Sequence, residues 1–242
     1  MRVVIISDIH SNLEALQAVG KSIRDLGVDE IYFVGDAVGY GPDPNACTAW
    51  VMENTVAAVM GNHDSAALGL MDIETFNINA RRAIIWNAEQ MEGWAVEYLR
   101  SLSMMEKRGE LTLVHANPKD PGGWNYIFTL WDAEMNFPHF EGPYCFVGHS
   151  HQPVAVGMNG SGAVNVIPGN SFQIEEGYRY LINVGSVGQP RDGNPAACFG
   201  LLDTDKGEFT FVRTPYEYRV TQEKMLKYGL PKPLVDRLAE GR

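Results

Sequence analysis

Five of the six histidines in this 242-residue chain stand directly behind short apolar runs. His10 closes Ser-Asp-Ile-His, His63 lies in Gly-Asn-His-Asp, His115 in Val-His-Ala, and His149 and His151 in Gly-His-Ser-His. Asp8, Asp36 and Asn62 hold equivalent positions behind apolar runs of their own. In open α/β sheets, ligands gather beyond the carboxyl ends of the strands. Laid side by side, these strands bring two carboxylates, an amide and five imidazoles to one cleft. Such a collection is costly to desolvate unless a cation neutralises it. Its donors are oxygen and nitrogen without thiolate, which suits manganese, iron, zinc, nickel or cobalt better than a cysteine-bound structural zinc. In an extended segment, residues i and i+2 face the same side, so Asp8 with His10, and His149 with His151, are each expected to aim at one ion. A lone histidine behind a strand is usually a satisfied core or surface group; it is the ordered series that points to a metal site. His139, in Phe-Pro-His-Phe, has no such setting and reads as an ordinary structural histidine.

The elements that must position these groups are short runs rich in Val, Ile, Tyr and Phe. Residues 2–7, 31–34, 56–60, 111–114 and 144–147 lead into the polar groups, and further strands are expected at 154–158, 163–167, 180–184, 198–202 and 209–212. Asn12 can cap a helix in which Leu13, Leu16, Val19, Ile23 and Leu26 recur at helical steps, with Gly27 as its left-handed stop. Strand, helix and the strand at Ile31 make a βαβ start with a parallel pair. Residues 66–107 read as a helical insert whose stripe of Trp86, Met91, Trp94, Tyr98 and Leu102 packs into the core. Residues 217–242 read as a helical tail, amphipathic from Thr221 to Leu238 and broken at Pro231 and Pro233. No repeat or Ser/Gly linker divides the chain, so one sheet-rich α/β domain over residues 1–242 is expected.

Composition narrows the partners. A core is affordable at 45% apolar residues, and the net charge is -11. That balance argues against long nucleic acid or an anionic membrane as partner, while leaving room for a local cationic site. No apolar stretch approaches the roughly 18–20 residues needed to span a bilayer. The run from Val3 to Ile6 is cut short by Asp8 and His10, so it does not read as the core of a signal peptide. Cys47, Cys145 and Cys198 are far apart and lack Cys-x-x-Cys spacing; they read as buried thiols of a reducing compartment, and a cytoplasmic protein is expected. Competing chemistries lack their motifs. There is no Gly-x-x-x-x-Gly-Lys phosphate loop and no His-Glu-x-x-His. Ser150 lacks the closing glycine of a nucleophile elbow. His149-Ser-His151 is not followed by Asp-His, and the deaminase Pro-Cys-x-x-Cys is missing.

Taken in order, Asp8-x-His10, Gly35-Asp36, Gly61-Asn62-His63-Asp64, His115 and Gly148-His149-x-His151 resemble the signature of the calcineurin-like metallophosphoesterases. The segment Gly185-Ser-Val-Gly-Gln-Pro-Arg191 is similar to small bacterial and archaeal members. Asp36 lacks the following arginine of the protein serine/threonine phosphatases, and His63-Asp64 lacks their nearby arginine, so protein dephosphorylation is the less expected activity. The resemblance implies a four-layer αββα sandwich of two mixed β-sheets flanked by helices. It implies two divalent metal ions (Mn, Fe, Zn or Ni), one held by Asp8, His10, Asp36 and His151, the other by Asp36, Asn62, His115 and His149. Asp36 would bridge, a hydroxide between the metals would be the nucleophile, and His63 would be proton donor or charge stabiliser, oriented by Asp64. Two divalent ions outweigh Asp8, Asp36 and that hydroxide by about one unit of charge, an anion trap within an acidic protein. The implied activity is hydrolysis of phosphate mono- or diesters, with a small phosphorylated, nucleotide-like substrate. Two alternatives stand beside it: a non-catalytic metal-binding scaffold of the same fold, and a dinucleoside polyphosphate hydrolase or nuclease acting on short oligonucleotides. A free His63 beside a complete ligand set argues against the scaffold. Arg81, Arg82 and Arg191 could touch a distal phosphate but read as solvated surface arginines.

Overall fold

Val3, Val4, Ile5 and Ile6 are all fully buried because the strand that carries them is covered on both faces. That strand, β1 (Arg2–Ile6), lies near the middle of a six-stranded sheet. Alternation sends Val3 and Ile5 to one core and Val4 and Ile6 to another. The computed structural model describes residues 1–242. On one side of β1 run β2 (Glu30–Phe33) and β3 (Ala57–Ala58), both parallel to it. On the other lie β11 (Ala197–Asp203), β12 (Glu208–Thr214) and β9 (Ser171–Gln173), each antiparallel to its neighbour. The second sheet has the order β4 (Met105–Arg108), β5 (Leu111–Val114), β6 (Tyr144–Val147), β10 (Arg179–Asn183), β7 (Val154–Met158) and β8 (Val164–Ile167). Within it β5, β6 and β10 are parallel.

The sheets meet face to face. Val3, Ile5, Tyr32 and Val34 pack with Leu113, Phe146, Tyr180, Ile182 and Phe209. Behind the first sheet, Val4, Ile6 and Phe33 pack on α1 (Leu13–Leu26) through Leu16, Val19 and Ile23, and on α2 (Pro44–Asn54) through Cys47 and Val51. Behind the second, Val114, Cys145, Val147 and Leu181 pack on Ala133 of α6 (Leu130–Asn136) and on Phe137 and Phe140. The result is the four-layer αββα sandwich of two mixed sheets. A further cluster joins Tyr40 to α4 (Ile78–Gln90), α7 (Tyr218–Lys227) and α8 (Lys232–Arg237).

Helix α1 ends as its residues require: Asn12 Oδ1 accepts the Ala15 amide at 3.1 Å, and Gly27 adopts φ +62°. Residues 66–107 are less uniform than expected. They contain the end of α3 (Asn62–Ala67), then α4 and α5 (Gly93–Ser101), but also β4. That strand is a charged edge, Met-Glu-Lys-Arg, whose exposed face offers no apolar alternation to read. The aromatic stripe is split between two helices: Met91, Tyr98 and Leu102 join the core behind the first sheet, Trp86 joins the cluster around Tyr40, and Trp94 is 37% exposed. In the tail, the helical run is broken between α7 and α8, and Pro231 and Pro233 stand at the start of α8, where a helix tolerates proline in its first turn.

Phe209 is fully buried between the sheets, its ring 5.0 Å from Phe211 and 5.5 Å from Phe172. Phe209→Ala is expected to cost about 3–5 kcal/mol of stability, read from the urea midpoint. A loss below about 1 kcal/mol would mean that the sheets do not depend on this ring.

Candidate metal centre

Each strand that leads to a polar group stops just short of it. Asp8 and His10 follow β1, Asp36 follows β2, Asn62 opens α3 beyond β3, His115 follows β5, and His149 and His151 follow β6. Because β1, β2 and β3 are parallel neighbours, and β5 and β6 likewise, all of these groups emerge at one edge of the sandwich. The backbone there is not extended. Asp8 (φ +52°), His10 (+50°), Asp36 (+64°), His149 (+67°) and His151 (+60°) are left-handed. Such a conformation costs a non-glycine residue about 1–2 kcal/mol. At Asp8, His10 and Asp36 it is held by backbone bonds that zip the loops after β1 and β2 together: Asp8 N–H to Gly35 O at 2.9 Å, His10 to Asp36 at 3.0 Å and Ser11 to Ala37 at 2.9 Å. Gly61 and Gly148 allow close approaches; a Cβ at Gly61 would lie 2.0 Å from Asp36 Oδ1, and one at Gly148 would lie 1.9 Å from Ser7 Oγ.

The left-handed turns change which groups meet. His151 Nε2 lies 3.2 Å from Asp8 Oδ1 and 3.1 Å from His10 Nε2. His149 instead turns toward His115, their ring centres 5.0 Å apart. His149 and His151 therefore diverge, contrary to the i, i+2 expectation. Asp36 stands between the two halves, Oδ2 lying 3.6 Å from His10 Nε2 and 3.3 Å from His115 Nε2. Asn62 Oδ1 is 3.0 Å from His115 Nε2. Three overlapping triads have donor atoms mutually within 4.8 Å: Asp8–His10–His151, His10–Asp36–His63 and Asp8–Asp36–His115. Five of the seven side chains expected as ligands stand in these triads, together with His63; Asn62 and His149 each adjoin His115, and all seven are buried.

Their hydrogen bonds test whether cations fit. His10 Nδ1–H donates to Val38 O at 3.1 Å, His115 Nδ1–H to Val34 O at 2.8 Å, and His151 Nδ1–H to Gln189 O at 2.6 Å. A carbonyl only accepts, so each ring carries a proton on Nδ1. Neutral His10 and His151 then present a bare Nε2 to the cleft, whereas His115, raised by Asp36, also holds a proton on Nε2 at neutral pH until a cation displaces it. The bare nitrogens of His10 and His151 face each other, and Nε2 of His115 faces Asn62 Oδ1. His149 is the mirror case: Nε2–H donates to Trp124 O at 2.9 Å, leaving Nδ1 bare. Imidazoles anchored by one nitrogen to a carbonyl, with the other free among carboxylates, have the form of metal ligands with their supporting bonds. The residues fit divalent cations.

His63 is set apart. Its backbone N–H donates to Asp36 Oδ1 at 2.8 Å, while its ring packs on Tyr40 (4.4 Å), His10 (4.7 Å) and Phe76 (5.1 Å) and its Nδ1 has no partner. Asp64 does not orient it. The Asp64 carboxylate accepts the backbone amides of Asp36 at 2.9 Å, Gly61 at 3.0 Å and Val38 at 3.1 Å, so its work is to brace the loop that carries Asp36.

Burial alone raises the Asp8 and Asp36 carboxyls, but the facing imidazoles, His151 for Asp8 and His115 for Asp36, hold both below the usual carboxylate range. Burial pushes His63 down to about 4 and His149 to about 3, and lowers His10 and His151 as well. These four imidazoles are neutral at pH 7, the state that can coordinate. For His115 burial is outweighed by Asp36, which carries it up to about 9. Burial and the Asp36 charge push Asp64 up to about 7 against the pull of its backbone donors.

Above these groups opens a cleft of about 560 Å³, into which Asn62, His63 and His149 project from below. Its walls hold Tyr40, Phe76, Trp124, Tyr126, Arg191 and Arg237. Tyr126 stacks on His149 with ring centres 4.0 Å apart. Arg191 is therefore a cleft residue and not a solvated surface arginine. Arg81, paired with Glu74 at 3.2 Å, and the exposed Arg82 lie outside it. His139 is exposed in a short turn, as a structural histidine would be. Tyr40, Trp124, Tyr126, Gln189 and Arg237 carry no periodic or spacing signal of their own; only the fold collects them.

The family model described as the calcineurin-like phosphoesterase superfamily domain matches residues 1–207. An uncharacterized protein of Methanocaldococcus jannaschii is 36% identical over 245 residues, covering 99% of this chain and 98% of its own. Among solved structures, a metallophosphoesterase from Sphaerobacter thermophilus superposes with a TM-score of 0.87 at 41% identity, covering 100% of this chain and 99% of that one. A hypothetical protein from Pyrococcus horikoshii shares the fold at a TM-score of 0.79 and 18% identity, with coverage of 100% and 98%.

Asp64→Ala strands three buried backbone amides, so it is expected to lower stability by about 2–4 kcal/mol in urea denaturation and to weaken manganese binding in calorimetry. Unchanged stability, with only turnover affected, would return Asp64 to the role of orienting His63.

Proposed function

The chain belongs to the calcineurin-like phosphoesterase superfamily, and from that membership we propose that it hydrolyses small phosphate mono- or diesters, nucleotide-like molecules among them, with two divalent cations held in the cleft. The observation that carries this reading is the convergence of the Nε2 atoms of His10, His115 and His151, each ring anchored to a carbonyl through Nδ1, on the carboxylates of Asp8 and Asp36. Asp8, His10, Asp36 and His151 would hold one ion, and Asp36, Asn62, His115 and His149 the other. The donor set suits manganese, iron, zinc or nickel. Bound there, such ions supply Lewis acidity toward phosphoryl oxygens and a water acidified toward neutral pH.

The chain's own residues account for the rest. Asp36 sits between the two groups of imidazoles and ties them to one centre. His63 reaches the cleft unencumbered by any hydrogen bond to its ring Nδ1. A phosphate entering beside it brings negative charge, which raises the basicity of the ring and lets it hold a proton for the departing oxygen. Trp124 and Tyr126 fix His149 from the cleft side and shield it from water. Residues 1–242 act as one unit in this reading, because α8 of the tail contributes Arg237 to the same cleft as Asn62 and His63. No helix is long and apolar enough to cross a membrane. The three cysteines are buried and unpaired, in keeping with a cytoplasmic setting.

Protein stripped with a chelator and reloaded with manganese is expected to cleave 4-nitrophenyl phosphate or its bis-ester, and the stripped protein to cleave neither. Failure of the reloaded protein on every aryl phosphate would remove the enzymatic reading. His63→Gln is expected to lower kcat by about 10²–10⁴ with bound manganese unchanged by atomic emission. Equal losses of metal and turnover would make His63 a ligand instead.

A further inference from the structure

Two arginines in the cleft wall have no carboxylate partner. Arg191 Nη2 donates to Gln189 Oε1 at 2.9 Å, and Arg237 Nη1 donates to the same oxygen at 3.2 Å. Arg191 also donates to Tyr40 Oη at 3.1 Å and lies over that ring, 5.6 Å from its centre. The Nε atoms of both arginines are shielded from solvent and unpartnered. The chain holds 30 acidic residues, and other arginines do find them, Arg81 on Glu74 and Arg213 on Asp192. Here one neutral amide holds two guanidinium groups side by side. Burial and the Arg191 charge both act against the charged form of Arg237. Like charges kept together without a counterion define a place where an anion relieves the repulsion.

The pair is coupled to the metal centre by short steps. Tyr40, which Arg191 touches, has its ring 4.5 Å from His10 and 4.4 Å from His63. Gln189, which both arginines touch, accepts the Nδ1–H of His151 through its backbone oxygen. Both arginines and His63 line one cleft. A molecule whose ester phosphate sits over the histidines can therefore extend toward the arginines. Guanidinium forks match the oxygens of a phosphoryl group in pairs, and their charge does not depend on pH.

We propose that Arg191 and Arg237 form a subsite for a second phosphoryl group, so that the preferred substrate is a small molecule carrying a phosphate beyond the one that is cleaved, as in a nucleoside diphosphate or a pyrophosphate-linked compound. This rests on the phosphoesterase reading of the centre beside it. Arg237 makes α8 a specificity element, and Gln189 positions both cations.

Calorimetry on the manganese-loaded protein with two hydrolytically inert ligands, methylenediphosphonate and methylphosphonate, separates the subsite from the centre. The wild type is expected to prefer the bisphosphonate by at least about tenfold, and the preference is expected to shrink to about threefold or less in the Arg191→Gln/Arg237→Gln variant. Arg237→Lys, which keeps the charge, is expected to retain more of the preference than Arg237→Gln, and a thermal melt verifies that each variant is folded. An equal preference in wild type and double variant, with aryl phosphate cleavage intact, overturns the subsite alone. Absence of binding by either ligand, together with absence of cleavage, overturns the phosphoesterase reading and the subsite with it.

Discussion

Bare imidazole nitrogens and carboxylate oxygens repel one another when aimed at a common point, and this fold spends much of its structure holding them in that arrangement. Val34, Val38 and Gln189 supply the carbonyls that fix three imidazoles by Nδ1. Trp124 supplies the one that fixes His149 by Nε2. With those protons claimed by the backbone, the facing lone pairs of His10 and His151 have no hydrogen to share between them. Divalent cations would reconcile so many acceptors in so small a buried volume. The sandwich meets that constraint by drawing two sets of parallel strands to one edge, so that rigid sheet ends carry the groups.

The same constraint explains the strained backbone. Left-handed turns at Asp8, His10, Asp36, His149 and His151 cost energy that the zipped loops and the Asp64 carboxylate offset. Straightening any of these turns would send a ligand out of the cleft. Strain and function are thus located in the same few residues, and the packed core beneath them, from Phe209 to Ile5, holds the turns in place.

Much of the strand framework was legible because buried strands here read as short β-branched and aromatic runs, and the polar residues behind them stood out against that background. Helix α1 announced both of its ends. Helix α2 escaped notice because its apolar residues do not fall on one face, although Asp43 and Pro44 mark its start. Helix α6 had a usable signal in Thr129 and Asp132, whose side chains and amides satisfy each other at the helix start. Strand β4 had none, being a charged edge. In the site, residue types and order pointed to side chains that the fold brings together, but pairing by alternation misjudged His149 and His151, since φ cannot be read from spacing. Asp64 was misjudged for a related reason: its partners are backbone amides, which every residue carries. Arg191 and Arg237 acquire meaning only when the chain brings positions 46 residues apart onto one glutamine.

That glutamine has a thermodynamic consequence. Gln189 holds His151 with its main chain and the guanidinium groups with its side chain. A shift of this residue that favours one set of contacts is transmitted to the other. Linkage is reciprocal: by whatever factor loading the cations alters the hold on an anion, the anion must alter the hold on the cations. Were cations and a second phosphoryl group both held there, metal retention would be a quantity that responds to what else occupies the cleft.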